Sequence, residues 1–291
     1  MSSIVHGLNA NRAVRGLKNL RNAFVDNRFR SKGHEAIAPF LAALPDRSQE
    51  RICFAIAFNS PWVIDILGAA WARQCPHTPL AIIDNSSSSM ARGDIEHVCF
   101  WRGLPYLALP ANPEWSPNRS HGIAMNWVYY NIVRRFVPLS FGFVDHDCFP
   151  LRPADPMSAM ADKWVRGRRQ AGRGDAWSLW AGFCFFRTEP TLNLAIDFKH
   201  RIEHGLDTGG GNWGAFYRTL SAREVEAVSV GQIDFPVGNH SATHRYLDNS
   251  FVHLGGASYR YSAEKAELRS RLAAYIWRQH LAEDQPVLAL P

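Results

Sequence analysis

Short apolar runs recur along the chain, separated by stretches with helical spacing. Arg51 to Phe58 is the first run and reads as a buried strand. Asn59-Ser60-Pro61 ends it; Ser60 is placed to cap a helix and Pro61 to fill its first position. Ile64, Leu67 and Trp71 follow at helical spacing, up to Pro76 and Pro79. Leu80 to Asp84 is a second strand and Pro105 to Leu109 a third. Ile123 to Phe136 carries Trp127, Tyr130 and Val133 on a helix that Pro138 stops. The apolar run through Phe141, Phe143 and Val144 is a fourth strand, ending in Asp145-His146-Asp147 before Pro150 and Pro153 block the ladder. This alternation predicts an α/β fold, a three-layer sandwich around a mostly parallel sheet. Right-handed crossovers put Asn59, Asp84 and Asp145 on one rim. Open α/β sheets bind their ligands there.

After Pro150 the pattern changes. Arg166 to Gly174 is basic and glycine-rich and reads as a mobile loop. Trp177 to Phe186 returns to the sheet, and Leu192 to Gly205 reads as helical. Asp207 to Trp213 is a tight loop leading into a helix through Phe216 and Tyr217. Phe251 to Gly256 is a late strand and turn, and Ala263 to Leu281 a closing helix. Ahead of the body, Val14, Leu17, Leu20 and Phe24 share one helical face, with Arg12, Arg15 and Lys18 on the other. Such a helix either docks its apolar stripe on the protein's own core or lies on an anionic membrane. Arg21 intrudes on the apolar side and favours docking. The expected organisation is a basic N-terminal helical extension, residues 1–48, and a single domain, residues 49–291.

Composition narrows the setting. Cys53, Cys75, Cys99, Cys148 and Cys184 are odd in number and widely spaced, which suits reduced thiols in the cytoplasm better than a disulfide framework. No apolar run reaches the roughly 18 residues a spanning helix needs. A cytoplasmic location is expected, with the inner face of the membrane as the place the basic helix would touch. The net charge is +6. Residues 1–45 hold seven lysines and arginines against Asp26 and Glu35, so the excess sits there and a nucleic-acid-binding body is not indicated.

Asp145 and Asp147 repel unless something positive lies between them. Mg²⁺ or Mn²⁺ is the usual solution, and it also holds a substrate diphosphate. The plainer alternative is a polar turn at a strand end. Several further stretches follow in an order that resembles GT-A-fold nucleotide-sugar glycosyltransferases, closest in style to the inverting enzymes of glycosyltransferase family 2. They are Ala57 to Ser60, Asp84-Asn85-Ser86-Ser87, Gly122 with Asn126, the Asp145/Asp147 pair, and Trp180-Ala181-Gly182-Phe183. The resemblance covers roughly Ile52 to His253. It implies a metal-dependent, hexosyltransferase-type enzyme that moves a sugar from a nucleotide-diphosphate donor to a glycan, lipid-linked or other hydroxyl acceptor. Asn59, Asp84, Asn85, Asn126 and Asp145 would serve the donor, and Asp145, Asp147 and His253 the metal. The family's acidic pair before a helix has no plain counterpart. Asp207 is the candidate base, with a turn aspartate as the alternative. His253 reads equally as a buried structural histidine. Arg168 and Arg169 would approach the diphosphate if their loop closed.

Rival readings remain at this stage. His200-x-x-Glu203-His204 has the spacing of an inverted zinc-peptidase motif on a helix, without a compelling third ligand. A non-catalytic nucleotide-sugar-binding protein of the same fold would keep the donor residues and need no base. A nucleotidyltransferase would need a glycine-rich, lysine-bearing loop after the first strand, which is lacking.

Overall fold

In the computed structural model, which describes residues 12–237, 240–256, 263–282 and 284–289, successive side chains of β1 (Arg51–Ala57) enter different cores. Ile52, Phe54 and Ile56 pack with Trp127, Tyr129, Phe141 and Phe143. Cys53, Ala55 and Ala57 pack with Ile64, Leu67, Trp71 and Val144. A strand buried on both faces must be apolar at every position, hence the unbroken run in the sequence.

The central sheet has seven strands in the order β3-β2-β1-β4-β7-β6-β8. β2 is Leu80–Asp84, β3 Tyr106–Ala108 and β4 Ser140–Asp145; these run parallel with β1. β7 (Trp177–Arg187) runs antiparallel to both β4 and β6 (Val165–Ala171), while β8 (Val225–Ala227) is parallel to β6. The expected three-layer α/β sheet holds. One face carries α1 (Arg12–Arg30), α2 (Ile37–Ala42) and α5 (Pro117–Val128), with Phe29, Ile37 and Phe40 packed into that core. The other carries α3 (Pro61–Gln74), α4 (Ser89–Arg102), α6 (Ala263–His280) and a second sheet. That antiparallel sheet has the order β5-β11-β10-β9, from Cys148–Pro150, Phe251–His253, His240–Leu247 and Val230–Val237. Asp145 ends β4 and Cys148 begins β5, so Asp145-His146-Asp147 spans the passage from one sheet to the other.

Four expectations need correction. Residues 166–171 are not a mobile loop but part of β6, with a bulge between Gly167 and Arg169. The inward Arg166 is buried and bound by both carboxylate oxygens of Asp248 at 2.7 Å, so its partner hides a strand that hydropathy reads as polar. Residues 192–205 are not a helix; only a 3₁₀ turn at Ile202–His204 forms there, beside an Arg201–Leu206 bridge. The Asn126 and Asn212 side chains accept from the N–H groups of Phe198 and Asp197, giving this backbone partners outside any helix. Phe216 and Tyr217 lead only into a short 3₁₀ turn, Tyr217–Thr219. The expected docking stripe of α1 also fails where it is described. Asp26 and Phe29 turn inward, and Leu20 and Phe24 stay 70% and 64% exposed. Asp26 accepts a hydrogen bond from the Lys199 Nζ at 2.9 Å, which selects that face. The side chains of Val14 and Leu17 lie outside the described residues.

All five cysteines are buried and free. No described helix is long and apolar enough to cross a membrane.

Candidate active-site cleft

The ends of β1, β2 and β4 are level. Ala57 pairs with Asp84 and Ile56 with Asp145. A cleft of about 1130 Å³ runs along this rim. Asn85, Ser86, Ser87 and Asn112 line one end; Gln170, Arg168 and Arg245 line the other. Asp145, Asp147 and His253 line the cleft too, at the end of β4 and beside it on β11.

Two of the residues expected at the first end stand behind its wall. Asp84 is fully buried. Its oxygens accept from the Ser86 N–H at 2.7 Å and the Tyr106 hydroxyl at 2.9 Å. It therefore holds the Ser86 loop from below and does not line the cleft. Asn59 adopts a left-handed backbone, φ 49°. Its Oδ1 accepts from the Ser87 and Ser88 N–H groups and its own N–H donates to Ser86 Oγ, which clamps the loops after β1 and β2 together. Asn85 does line the cleft, with its Oδ1 accepting from Asn112 at 2.8 Å.

Asn126 is directed elsewhere. Its amide donates to Asp26 and Asp197, and its Oδ1 accepts from the Phe198 N–H. A Cβ on Gly122 would stand 3.0 Å from the Lys199 Cα and the Phe198 oxygen. The Gly122/Asn126 pair thus seats α5 against residues 197–199 and does not enter the cleft.

At the end of β4, Asp145, Asp147 and His253 bring ligand atoms within 4.8 Å of one another, the sole such group among the described residues. His253 Nε2 lies 3.3 Å from Asp147 Oδ1 and 3.6 Å from Asp145 Oδ2. The Leu254 N–H donates to the Asp147 carbonyl and fixes β11 against the turn. His146 is buried in the cleft wall, where its Nδ1 accepts from the Phe58 N–H at 3.1 Å. Burial lowers its basicity, so the neutral ring braces the turn. Burial and the neighbouring Asp147 carboxylate push the Asp145 carboxyl up to about 6. Burial opposes protonation of His253, but Asp147 and Asp145 outweigh it and raise its pKa. Space here is tight. A Cβ on Gly182 would lie 2.4 Å from Asp145 Oδ2 and 2.3 Å from the Trp180 ring. Glycine is what lets β7 pass beside the carboxylate.

The donor set fits a divalent cation. Two carboxylates and an imidazole converge at the spacing a single ion spans, and the two carboxylates repel each other. Carboxylates suit Mg²⁺ and Mn²⁺ alike, whereas an imidazole ligand shifts the preference toward Mn²⁺.

Asp207 is exposed and lines the cleft. Its Oδ1 accepts from Asn118 Nδ2 and from the Thr208 N–H, both at 2.8 Å. His121 was not singled out from sequence. It lies near the start of α5, lines the cleft, and its buried Nε2 has no hydrogen-bond partner. Burial pulls its pKa down to about 4, so the ring is neutral. Arg245, Gln170 and Asn118 were missed as well, because each reaches the cleft only through tertiary packing. Arg168 lines the cleft from a strand, while Arg169 sits over the Trp177 ring at 4.7 Å. His200, Glu203 and His204 do not assemble as a zinc site: Glu203 and His204 are exposed on a 3₁₀ turn, and no helical face aligns the two histidines.

No family model matches the sequence, and no curated protein matches it. Solved structures do show partial likenesses. Staphylococcus aureus TarS shares 16% identity over 51% of this chain and 30% of its own, with a TM-score of 0.35. The galactosyltransferase LgtC, solved with donor and acceptor sugar analogues, shares 14% over 49% of this chain and 59% of its own, TM-score 0.33. The mannosyltransferase PcManGT from Pyrobaculum calidifontis, solved with GDP-Man and Mn²⁺, shares 10% over 58% and 55%, TM-score 0.34. The matched stretches cover less than two thirds of each of these chains.

Proposed function

We propose that the cleft binds a nucleotide-diphosphate sugar and transfers its sugar to an acceptor hydroxyl with inversion, using Mn²⁺ in preference to Mg²⁺. The observation that carries this is the convergence of Asp145, Asp147 and His253 between two chemically different ends of one cleft. Asn85, Ser86, Ser87 and Asn112 offer polar groups to a nucleoside, with Asn59 and Asp84 bracing them from behind. A bound cation would neutralise charge developing on the leaving diphosphate. Asp207 takes the proton from the acceptor hydroxyl as it attacks. Asn118 and Thr208 fix its Oδ1, which leaves Oδ2 to face the acceptor. Residues 49–291 form the catalytic body in this reading.

The expected result is that one nucleoside diphosphate raises the melting temperature by roughly 5 °C at about a hundred times its Kd, with Mn²⁺ deepening the effect. A panel of nucleotides and nucleotide sugars, scanned with and without Mn²⁺, checks this. No shift with any diphosphate in the presence of Mn²⁺ removes the transferase reading.

We also propose that α1 rests on an anionic membrane surface. Leu20 and Phe24 are exposed one helical turn apart, with the exposed Arg28 a further turn along. Arg21 ties the helix to Glu114, whose neighbour Trp115 is 88% exposed at the cleft mouth. Sedimentation with phosphatidylserine vesicles should carry down the wild type and leave Leu20→Ser/Phe24→Ser in solution. A wild type that stays in solution excludes this contact.

A further inference from the structure

Arg168 and Arg245 both line the cleft, and neither forms an ion pair with a described residue. The carboxylates nearby are engaged. Glu114 pairs with Arg21 and Arg119, Asp145 and Asp147 with His253, and Asp207 accepts from Asn118 and Thr208. The two guanidinium groups are close enough that Arg245, after burial, destabilises the charge on Arg168. Two like charges sharing one wall without a counterion favour an anion between them.

Gln170 stands two residues from Arg168 on β6, lines the same cleft, and its buried Oε1 has no hydrogen-bond partner. An orphaned acceptor of this kind is satisfied by a hydroxyl donor. This end also lies away from the nucleoside end. β6 is two strands from β4 in the sheet order, about 10 Å at ordinary strand spacing. The Trp180 indole stands between the cation group and Arg168, packing edge-on against His253 at 4.6 Å and under the Arg168 guanidinium at 5.1 Å. Arg245 pairs across the strands with His253. Both also line a second groove of about 660 Å³ over the small sheet, which gives room for a longer chain.

We infer that this end of the cleft takes an acceptor that is both anionic and hydroxylated: a sugar or polyol bearing a phosphate or a carboxylate. The inference rests on the transferase reading for the word acceptor, but the anion subsite is measurable by itself. Arg168 and Arg245 hold the charged group, Gln170 accepts from a hydroxyl, and Trp180 supplies an apolar floor.

Calorimetric titration of the full chain in EDTA tests it, with inorganic phosphate and glucuronate as probes and glucose as the neutral control. Phosphate and glucuronate should compete for one site and glucose should not bind detectably. Arg168→Gln and Arg245→Gln should each weaken phosphate about tenfold or more. Arg245 is exposed, so its variant keeps the fold. Arg168→Lys, which restores the charge, should recover part of the loss. Gln170→Leu should weaken glucuronate and leave phosphate unchanged, and Asp147→Asn should leave both unchanged. Whichever probe binds more tightly identifies the charged group. Three results overturn the inference: no binding at millimolar probe, loss of binding in Asp147→Asn with retention in the arginine variants, or, in a separate titration with Mn²⁺ in place of EDTA, displacement of phosphate by nucleoside diphosphate. The last would assign the arginines to the donor. Absence of any nucleotide binding would instead remove the transferase reading and leave the phosphate result standing.

Discussion

Asp147→Asn is expected to give a folded protein that still binds nucleoside but gains nothing from Mn²⁺. The substitution changes one charge at nearly constant volume, so packing at the turn survives. Two terms oppose each other in the metal-free protein. His253 loses the carboxylate 3.3 Å from its Nε2, and Asp145 loses the neighbour that, after burial, pushes its carboxyl up to about 6. A carboxyl whose pKa is raised on folding costs stability above that pKa and costs none at low pH, where both states are protonated. Relief of that cost at pH 7 offsets the lost His253 contact. The metal-free variant should therefore melt near the wild type. Binding of nucleoside diphosphate with Mn²⁺ should fall much further. Changes to groups that merely support a metal ligand already cost about 10–100-fold, and loss of an anionic ligand itself should exceed that. Calorimetry with nucleoside, and with nucleoside diphosphate with and without Mn²⁺, separates the terms. A variant that keeps the full Mn²⁺ enhancement removes the metal assignment and the mechanism built on it.

The parts of the fold legible in the sequence share one physical condition. β1, β2 and β4 are covered on both faces, so their interior positions are free of polar side chains, which stand only at the strand ends, and each run reads as continuous. β7 is buried from Trp177 to Phe186 and reads the same way. Where burial is one-sided or the inward group is charged, the signal fails. β6 looks like a basic loop because Arg166 finds Asp248 eighty-two residues later in the chain. The described side chains of β9 and β10 are largely solvent-facing, β10 is polar and β9 is broken by Gly231 and Pro236, so neither stands out as a strand in the sequence. Residues 192–205 carry apolar residues at near-helical spacing, yet the Asn212 and Asn126 side chains take the N–H groups of Asp197 and Phe198 and give this backbone partners outside a helix.

The cleft divides along similar lines. Asp145 and Asp147 announce themselves because an apolar strand ends abruptly in two carboxylates. Asp84 and Asn126 were expected at the ligand and stand one layer behind it, since spacing places a residue on an element but does not decide which side of a loop it braces. Asp84 is satisfied within its own loop by Ser86 and Tyr106, and Asn126 is consumed by Asp26, Asp197 and Phe198. His121 and Arg245 carry no local motif. Each became visible only when α5 and β10 were brought to the same rim.

Asp207→Asn is expected to leave donor affinity and stability almost unchanged and to lower turnover by about 10²–10⁴-fold, the usual cost of removing a general base. The reason lies in how the side chain is held. Its Oδ1 accepts from Asn118 and from the Thr208 N–H, and an asparagine oxygen can accept both bonds in the same place. The loop entering Gly209, whose φ of 94° suits glycine, is therefore kept. What changes is the second oxygen, which becomes an amide that cannot take a proton. The loss should appear in kcat with KM for the donor unchanged, and single-turnover measurements should locate it in the chemical step. A structural role predicts the reverse: a lowered melting temperature with normal turnover per folded molecule. Wild-type turnover in the variant would assign Asp207 to the turn alone. Neither acidic neighbour could then replace it, because Asp197 is tied to Lys199 and Asn126 and Glu203 does not line the cleft. His121 would be the remaining candidate, neutral and with Nε2 unpartnered, although burial makes it a weak base. Asp207→Asn and His121→Ala, compared at saturating donor, decide between the two.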